Sequence, residues 1–404
     1  MFEHVDAYPG DPILSLNEDF QRDPRPRKVN LSIGVYLDES GRLPQMYAVR
    51  EAEAAVLSAP GARPYLPMVG APAYRKATQA LLFGEDNALL AEGRIATVQT
   101  LGGSGALKVG ADFLNAWFGG GRVWVSDPTW DNHWGLFSGA GFPVDRYPYY
   151  SPATKQVDFA AMQAALERLP KGDIVVLHAC CHNPTGADLG EDQWRRLAPI
   201  FRERGLIPFF DIAYQGFGEG LEEDAFAIRH FAAEGIPLFV AVSFSKNFSL
   251  YGERCGALHV TCPDLGQAEK VLGQLKAAVR RNYSSPPTYG ARIIAGVLED
   301  ARLRAQWTGE LTAMRTRIQA MREGLYARLN GKVANASFDY LLKQKGMFSF
   351  TGLTPAQVGR LREDFGVYLI GTGRMCVAAL TQQTLDPVAE AMIQVLGDGG
   401  RDGS

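Results

Sequence analysis

Leu238-Phe-Val-Ala-Val-Ser-Phe-Ser-Lys246-Asn247 is a short apolar run that ends on a lysine. Runs of this length read as buried strands, and four others like it occur between about residues 95 and 260. They are Ile95-Ala-Thr-Val-Gln-Thr100, Val123-Trp-Val125, Ile174–Cys181 and Leu206–Ile212. Helical spacing lies between them. Leu107, Gly110, Leu114 and Trp117 recur through Ala106–Trp117, and a helical Asp192–Glu203 fits between the Ile174 and Leu206 runs. Alternation of strand and helix predicts an α/β domain on a largely parallel sheet.

The residues that close these runs carry chemistry. Ser104 follows the first run, Trp130 the second and Asn183 the third, Asp211 ends the fourth, and Lys246 follows the fifth. Open α/β sheets bind ligands at the carboxyl ends of their strands, so these side chains should converge. A lysine ammonium at the edge of a buried strand is costly unless it is paired or chemically used. Asp211-Ile-Ala-Tyr214 lies upstream and Arg254 a short way downstream. A pyridoxal phosphate (PLP) site asks for this set: a lysine amine for the aldehyde, an aspartate for the pyridinium nitrogen, a tyrosine for the phenolate oxygen and an arginine for the phosphate. A core lysine in a structural ion pair would not explain all of them.

Other motifs read two ways. Gly102-Gly-Ser-Gly-Ala-Leu107, between a strand and a helix, is either a plain glycine turn or a phosphate cup at a helix N-terminus. It matches neither a dinucleotide fingerprint nor a P-loop. His182-Asn183-Pro184-Thr185-Gly186 reads as a strand-ending turn, although the Asn183 amide could also bond a phenolate oxygen. Trp130 is either core or a flat wall beside a planar ligand. His133 is either a satisfied structural histidine or a group that orients Asp211. Arg280 stands in Val279-Arg-Arg-Asn and Arg374 in Gly-Thr-Gly-Arg374-Met-Cys-Val. Surface arginine is the ordinary reading of both. An apolar setting makes a lone guanidinium expensive at Arg374, and its fork suits a carboxylate.

The chain of 404 residues has a net charge of −3, which offers no basic field for nucleic acid or an anionic membrane. Its five cysteines, Cys180, Cys181, Cys255, Cys262 and Cys376, form no disulfide framework and no metal-binding pair. The acidic N-terminus lacks the regions of a signal peptide, and no stretch is long and apolar enough to span a bilayer, so a cytoplasmic location is expected. After residue 300, Leu311, Met314, Ile318, Met321 and Leu325 recur on one face of a long amphipathic helix. The expected division is a large domain over 48–300, a small domain from 1–47 and 301–396, and a solvated tail over 397–404.

Tyr65 in Pro-Tyr-Leu-Pro-Met-Val-Gly, Gly102-Gly-Ser-Gly-Ala-Leu, Ser126-Asp-Pro-Thr-Trp-Asp-Asn-His, Cys181-His-Asn-Pro-Thr-Gly, Asp211-Ile-Ala-Tyr-Gln-Gly-Phe, Ser243-Phe-Ser-Lys-Asn-Phe and Arg374 together resemble the class I (fold type I) aminotransferases, in order, over Asp6 to about Leu396. Within that family the chain is most similar to the bacterial aromatic-amino-acid enzymes, with the aspartate enzymes next. The resemblance implies a large domain with a mostly parallel mixed sheet flanked by helices, plus a smaller α+β domain. It implies PLP held by Lys246, Asp211, Tyr214, Asn183, Gly103, Ser104, Ser245 and Arg254, with Trp130 against the ring and Tyr65 reaching in from a second subunit of an obligate homodimer. Lys246 would also move the substrate proton. Arg374 would take the substrate α-carboxylate with Asn183, Trp130 and the Gly34 backbone, and the partner's Arg280 a distal carboxylate. No metal is implied. Aspartate-preferring relatives are polar where this chain has Leu37, Leu43 and Pro64, carry threonine at Ser104 and asparagine at Ser285. The expected reaction moves the amino group of tyrosine or phenylalanine, and of aspartate, to 2-oxoglutarate. Aspartate aminotransferase is the alternative, ahead of a PLP-dependent lyase or decarboxylase and of a silent binding protein.

Overall fold

In the computed structural model, which describes residues 1–7, 10, 12–334 and 336–397, the apolar runs pair into one seven-stranded sheet. Its strands are β1 (Ile95–Leu101), β2 (Val123–Asp127), β3 (Val144–Pro148), β4 (Ile174–His178), β5 (Ile207–Ile212), β6 (Phe239–Ser243) and β7 (Cys255–Thr261). Their order across the sheet is β1-β7-β6-β5-β4-β2-β3. Five of the seven are the predicted runs. β7 is antiparallel to both its neighbours, β1 and β6, and every other pairing is parallel. All residues of β4 and β6 are buried, so these strands need apolar side chains on both faces. That is why they read as continuous runs.

The chain divides into two compact units, Pro44–Thr316 and Met1–Leu43 with Arg317–Ser404. The first holds the sheet. The break therefore falls inside the helix Ala301–Leu329, not at residue 300 as the change of pattern suggests. Trp307 explains the difference. Its ring stacks on Phe248 at 4.6 Å between centroids, and its Nε1–H donates to the Asn247 carbonyl at 2.7 Å. The amides of Tyr47 and Ala48 donate to the Glu310 carboxylate at 2.6 and 3.1 Å, which ties the start of the helix Tyr47–Ser58 to the same unit.

The second unit is α+β. Val29–Asn30 pairs in parallel with Val367–Tyr368, and Phe348–Phe350 pairs antiparallel with Arg374–Cys376. Its helix Pro355–Phe365 has sharp local signals: a Thr354/Gln357 capping box, proline in the first turn and a left-handed Gly366 at the end. The helix Gln382–Gly397 takes in the first residue of the expected tail, whose remaining residues, 398–404, lie outside the described residues. Among the described residues no helix is long and apolar enough to cross a membrane. All five cysteines are free and buried.

Buried histidines give the fold a pH dependence. Desolvation holds His178 and His259 down at about 3, and His182 well below its ordinary value. In the unfolded chain each takes a proton near pH ~6.5. The folded state thus binds fewer protons, and its stability is full above that pH and falls as the pH drops toward 3. The denaturation midpoint should decline from pH 7 to pH 5 with net proton uptake on unfolding. A flat midpoint over that range would contradict the burial of these rings in neutral form.

Candidate active site

Two parallel strands deliver the central groups side by side. Asp211 is paired across the sheet with Ala241 of β6, and Lys246 lies just beyond the end of that strand. The Lys246 Nζ lies 5.1 Å from the centroid of the Tyr214 ring. Asp211 is 6 % exposed, a severe setting for a carboxylate. Burial pushes its carboxyl up. The hydrogen bond from His133 and the nearby Lys246 ammonium oppose this, and the net direction is below the ordinary carboxylate value. His133 is fully buried, with Nε2 at 3.0 Å from Asp211 Oδ2 and Nδ1 at 2.8 Å from Thr129 Oγ1. An ionised Asp211 can only accept, so His133 donates to it from Nε2, while the Thr129 hydroxyl anchors the ring at Nδ1. Of the two readings of His133, the geometry selects the one that orients Asp211.

An anion cup forms at the same edge of the sheet. β1 runs straight into the helix Gly102–Trp117, so Gly102, Gly103 and Ser104 occupy its first turn instead of a loop ahead of it. Gly102 has φ +67°, and a Cβ there would stand 2.7 Å from Arg254 Nη2. Glycine lets the guanidinium lie directly against this turn. β7 explains how Arg254 arrives. Because that strand runs against its neighbours, the residue preceding Cys255 sits at the edge where the parallel strands end, and its carbonyl accepts from the Gly102 amide at 2.9 Å. Arg254 Nη1 donates to Ser245 Oγ at 3.3 Å. First-turn amides without intrahelical acceptors, a hydroxyl and a guanidinium make a donor set that fits a phosphate dianion.

Asn183 is buried beyond the end of β4. Trp130 is half-buried and meets His133 edge-on, with ring centroids 5.4 Å apart and planes at 82°. Neither of its two readings is excluded, since it also packs against the main core. Tyr65 and Arg280 do not join the buried cluster. Tyr65 is 95 % exposed, and Arg280 is an exposed side chain that donates to Ser284 Oγ.

The second unit gathers Gly34 and Arg374 around a residue that sequence reading left unassigned, Phe348. Arg374 is 5 % exposed, donates from Nη2 to the Ser32 carbonyl at 2.6 Å, and lies over the Phe348 ring at 4.5 Å from its centroid. A Cβ on Gly34 would come within 2.9 Å of Phe348 Cζ. Only glycine leaves room for that ring. Histidines 178 and 182 were also missed, as members of runs and turns. His182 is fixed by Ser126 Oγ at 2.9 Å, Thr185 Oγ1 at 2.8 Å and stacking on Tyr149. The His178 ring lies 5.2 Å from that of His133, and neither of its nitrogens has a hydrogen-bond partner among the described residues. Only its polarity within an apolar strand could have marked it.

Known proteins are similar to this one over almost the whole chain. A family model described as aminotransferase class I and II matches residues 26–392. The aromatic-amino-acid aminotransferase of Escherichia coli K12 is 58% identical over 98% of this chain and 100% of its own length. An aspartate aminotransferase of Pseudomonas aeruginosa is 49% identical over 98% of this chain and 100% of its own. A crystal structure of the aromatic-amino-acid aminotransferase from Burkholderia pseudomallei, covalently bound to pyridoxal phosphate, superposes with a TM-score of 0.96 at 53% identity, covering 98% of this chain and 99% of that one. A family model over most of the chain and relatives near 58% identity show that the chain belongs to the class I and II aminotransferases.

Proposed function

We propose that this chain is a PLP-dependent aromatic-amino-acid aminotransferase that passes the amino group of tyrosine and phenylalanine, and of aspartate, to 2-oxoglutarate. The observation that carries the reading is the buried Asp211–His133 pair beside Lys246, at the sheet edge where Arg254 and the Gly102–Ser104 turn form an anion cup. PLP, when bound, supplies an electron sink for the bond broken at the substrate's Cα. The chain supplies the rest. Asp211, held ionised by His133, keeps a proton on the ring nitrogen. Tyr214 and Asn183 would bond the phenolic oxygen, and Trp130 would lie against the ring. Gly103, Ser104, Ser245 and Arg254 hold the phosphate. The Lys246 amine would serve as a positioned base for the Cα proton. Arg374, with Asn183, Trp130 and the Gly34 backbone, takes the α-carboxylate.

Tyr65 and Arg280 are exposed on the single chain, which supports their service to a second subunit in a homodimer with shared sites. Five free buried thiols suit a reducing compartment such as the cytoplasm. Apolar Leu37, Leu43 and Pro64, with Ser104 and Ser285, lower the cost of seating an aromatic ring. Retained Arg280 keeps dicarboxylates as substrates, so aspartate competes. In single-turnover half-reactions, tyrosine and phenylalanine should match or exceed aspartate in kcat/KM. Aspartate faster by about a hundredfold, or roughly 2.7 kcal/mol, would turn the assignment to aspartate aminotransferase.

Arg280→Ala separates the two substrate classes. A distal carboxylate left without its guanidinium in a mostly desolvated pocket loses about 2–5 kcal/mol, or roughly 30- to several-thousand-fold in kcat/KM. Aspartate and 2-oxoglutarate should show that loss and phenylalanine should change little. Equal losses for phenylalanine and aspartate would mean that Arg280 has only a structural role.

A further inference from the structure

Arg322 is a guanidinium only 3 % exposed, and nothing in the proposed chemistry uses it. Its donors converge on one short segment. Nη1 donates to Ser349 Oγ at 2.6 Å, and Nη2 to the carbonyls of Gly346 at 2.9 Å, Phe348 at 2.5 Å and Lys345 at 3.2 Å. That segment opens the strand Phe348–Phe350, whose partner strand carries Arg374 directly opposite Phe350. The Phe348 ring also lies under the Arg374 guanidinium and occupies the space that Gly34 leaves open.

A buried cation is a poor means of merely stabilising this strand pair. Well-packed apolar side chains of similar volume are often as good or better, because they carry no desolvation cost. A planar fork bonded to three carbonyls and a hydroxyl supplies directional restraint on the backbone at Phe348. Phe348 in turn packs against the Arg374 guanidinium, whose Cζ lies 4.5 Å from the ring centroid, while the Ser32 carbonyl takes one of its N–H groups. Bidentate capture of a carboxylate depends on the plane of that guanidinium.

We infer that Arg322 is a positioning residue for substrate binding: it fixes the backbone of Phe348, and through that ring the orientation of Arg374. The inference rests on the proposed role of Arg374 as the α-carboxylate site. It adds a residue that touches neither substrate nor cofactor, and it predicts an effect on binding that is the same for every carboxylate substrate.

The test uses the PLP-loaded enzyme and two variants, Arg322→Lys and Ser349→Ala. Lysine keeps the charge and cannot reproduce the fork. Ser349→Ala removes one acceptor and leaves the arginine in place. Calorimetric affinity for 3-phenylpropanoate, a carboxylate with no amine to react, is measured beside single-turnover kinetics with phenylalanine and aspartate. Arg322→Lys should weaken all three by a common factor of about 10- to 100-fold, the scale of a 1 Å misplacement of a binding group. The limiting single-turnover rate and the pH titration of the cofactor's visible band should stay near wild type. Ser349→Ala should weaken the same three ligands by roughly 3- to 10-fold, the net worth of one ordinary hydrogen bond. Wild-type affinity in a folded Arg322→Lys, or losses confined to the limiting rate, would overturn the inference. If Arg322→Lys fails to fold, wild-type affinity in Ser349→Ala overturns it equally. A wild-type protein whose band amino acids do not bleach would instead defeat the aminotransferase reading.

Discussion

Lys246→Ala is expected to lose at least about four orders of magnitude in turnover, the upper end of what one general acid–base group contributes. The loss should be that large because one amine carries two functions. In the proposed site it would hold the cofactor through a covalent link, and the same nitrogen would move the proton at Cα. Alanine abolishes both. The variant should still retain PLP, because Asp211 and the anion cup around Arg254 do not depend on the lysine. Its absorption should be that of unlinked cofactor, and added amino acid should convert it only very slowly. Near-normal turnover by Lys246→Ala would rule out the proposed site.

Asp211→Asn should show the next largest effect, a loss of about 10²- to 10⁴-fold in the limiting rate with a much smaller loss of PLP affinity. A neutral amide cannot hold a proton on the ring nitrogen, so the ring no longer draws electrons from Cα. The change also removes the anion to which His133 donates at 3.0 Å, in a site with almost no water to compensate. Asp211→Glu keeps the charge in a slightly wrong place and should recover part of the rate. Wild-type turnover in Asp211→Asn with the natural cofactor would contradict the assignment.

Legibility in the sequence followed the physics of burial. Strands covered on both faces and built almost wholly from apolar residues, such as β4 and β6, stand out as runs, with Asn183 and Lys246 just beyond their ends. β7 was missed although it is wholly buried, because Cys255-Gly-Ala-Leu-His-Val-Thr261 mixes small and polar residues. β3 was missed for the opposite reason. It is an edge strand, and its Asp145 and Arg146 face solvent. Without β7 the sequence could name Arg254 as a phosphate ligand but could not say how the chain brings it beside Gly102.

Groups that act through others were the least visible. His133 fell between two readings until its two nitrogens were seen bonded to Thr129 and Asp211. Phe348 and Arg322 looked like ordinary core and helix-face residues, since their significance lies in contacts with Arg374 and with backbone carbonyls far away in sequence. The domain break was misplaced for a similar reason. The amphipathic pattern runs unbroken through Ala301–Leu329, and contacts such as Trp307 on Phe248 and Glu310 with the Tyr47 and Ala48 amides assign its first half to the larger unit.

Product balance in one turnover tests the central claim most directly. The PLP-loaded protein is mixed with a slight excess of tyrosine in the absence of any 2-oxoacid. Loss of the visible band should be matched one-for-one by the 2-oxoacid of tyrosine, with no carbon dioxide and no free ammonia, and 2-oxoglutarate should then restore the band. Release of carbon dioxide or ammonia, or a band that tyrosine and aspartate both leave unchanged, would contradict the account.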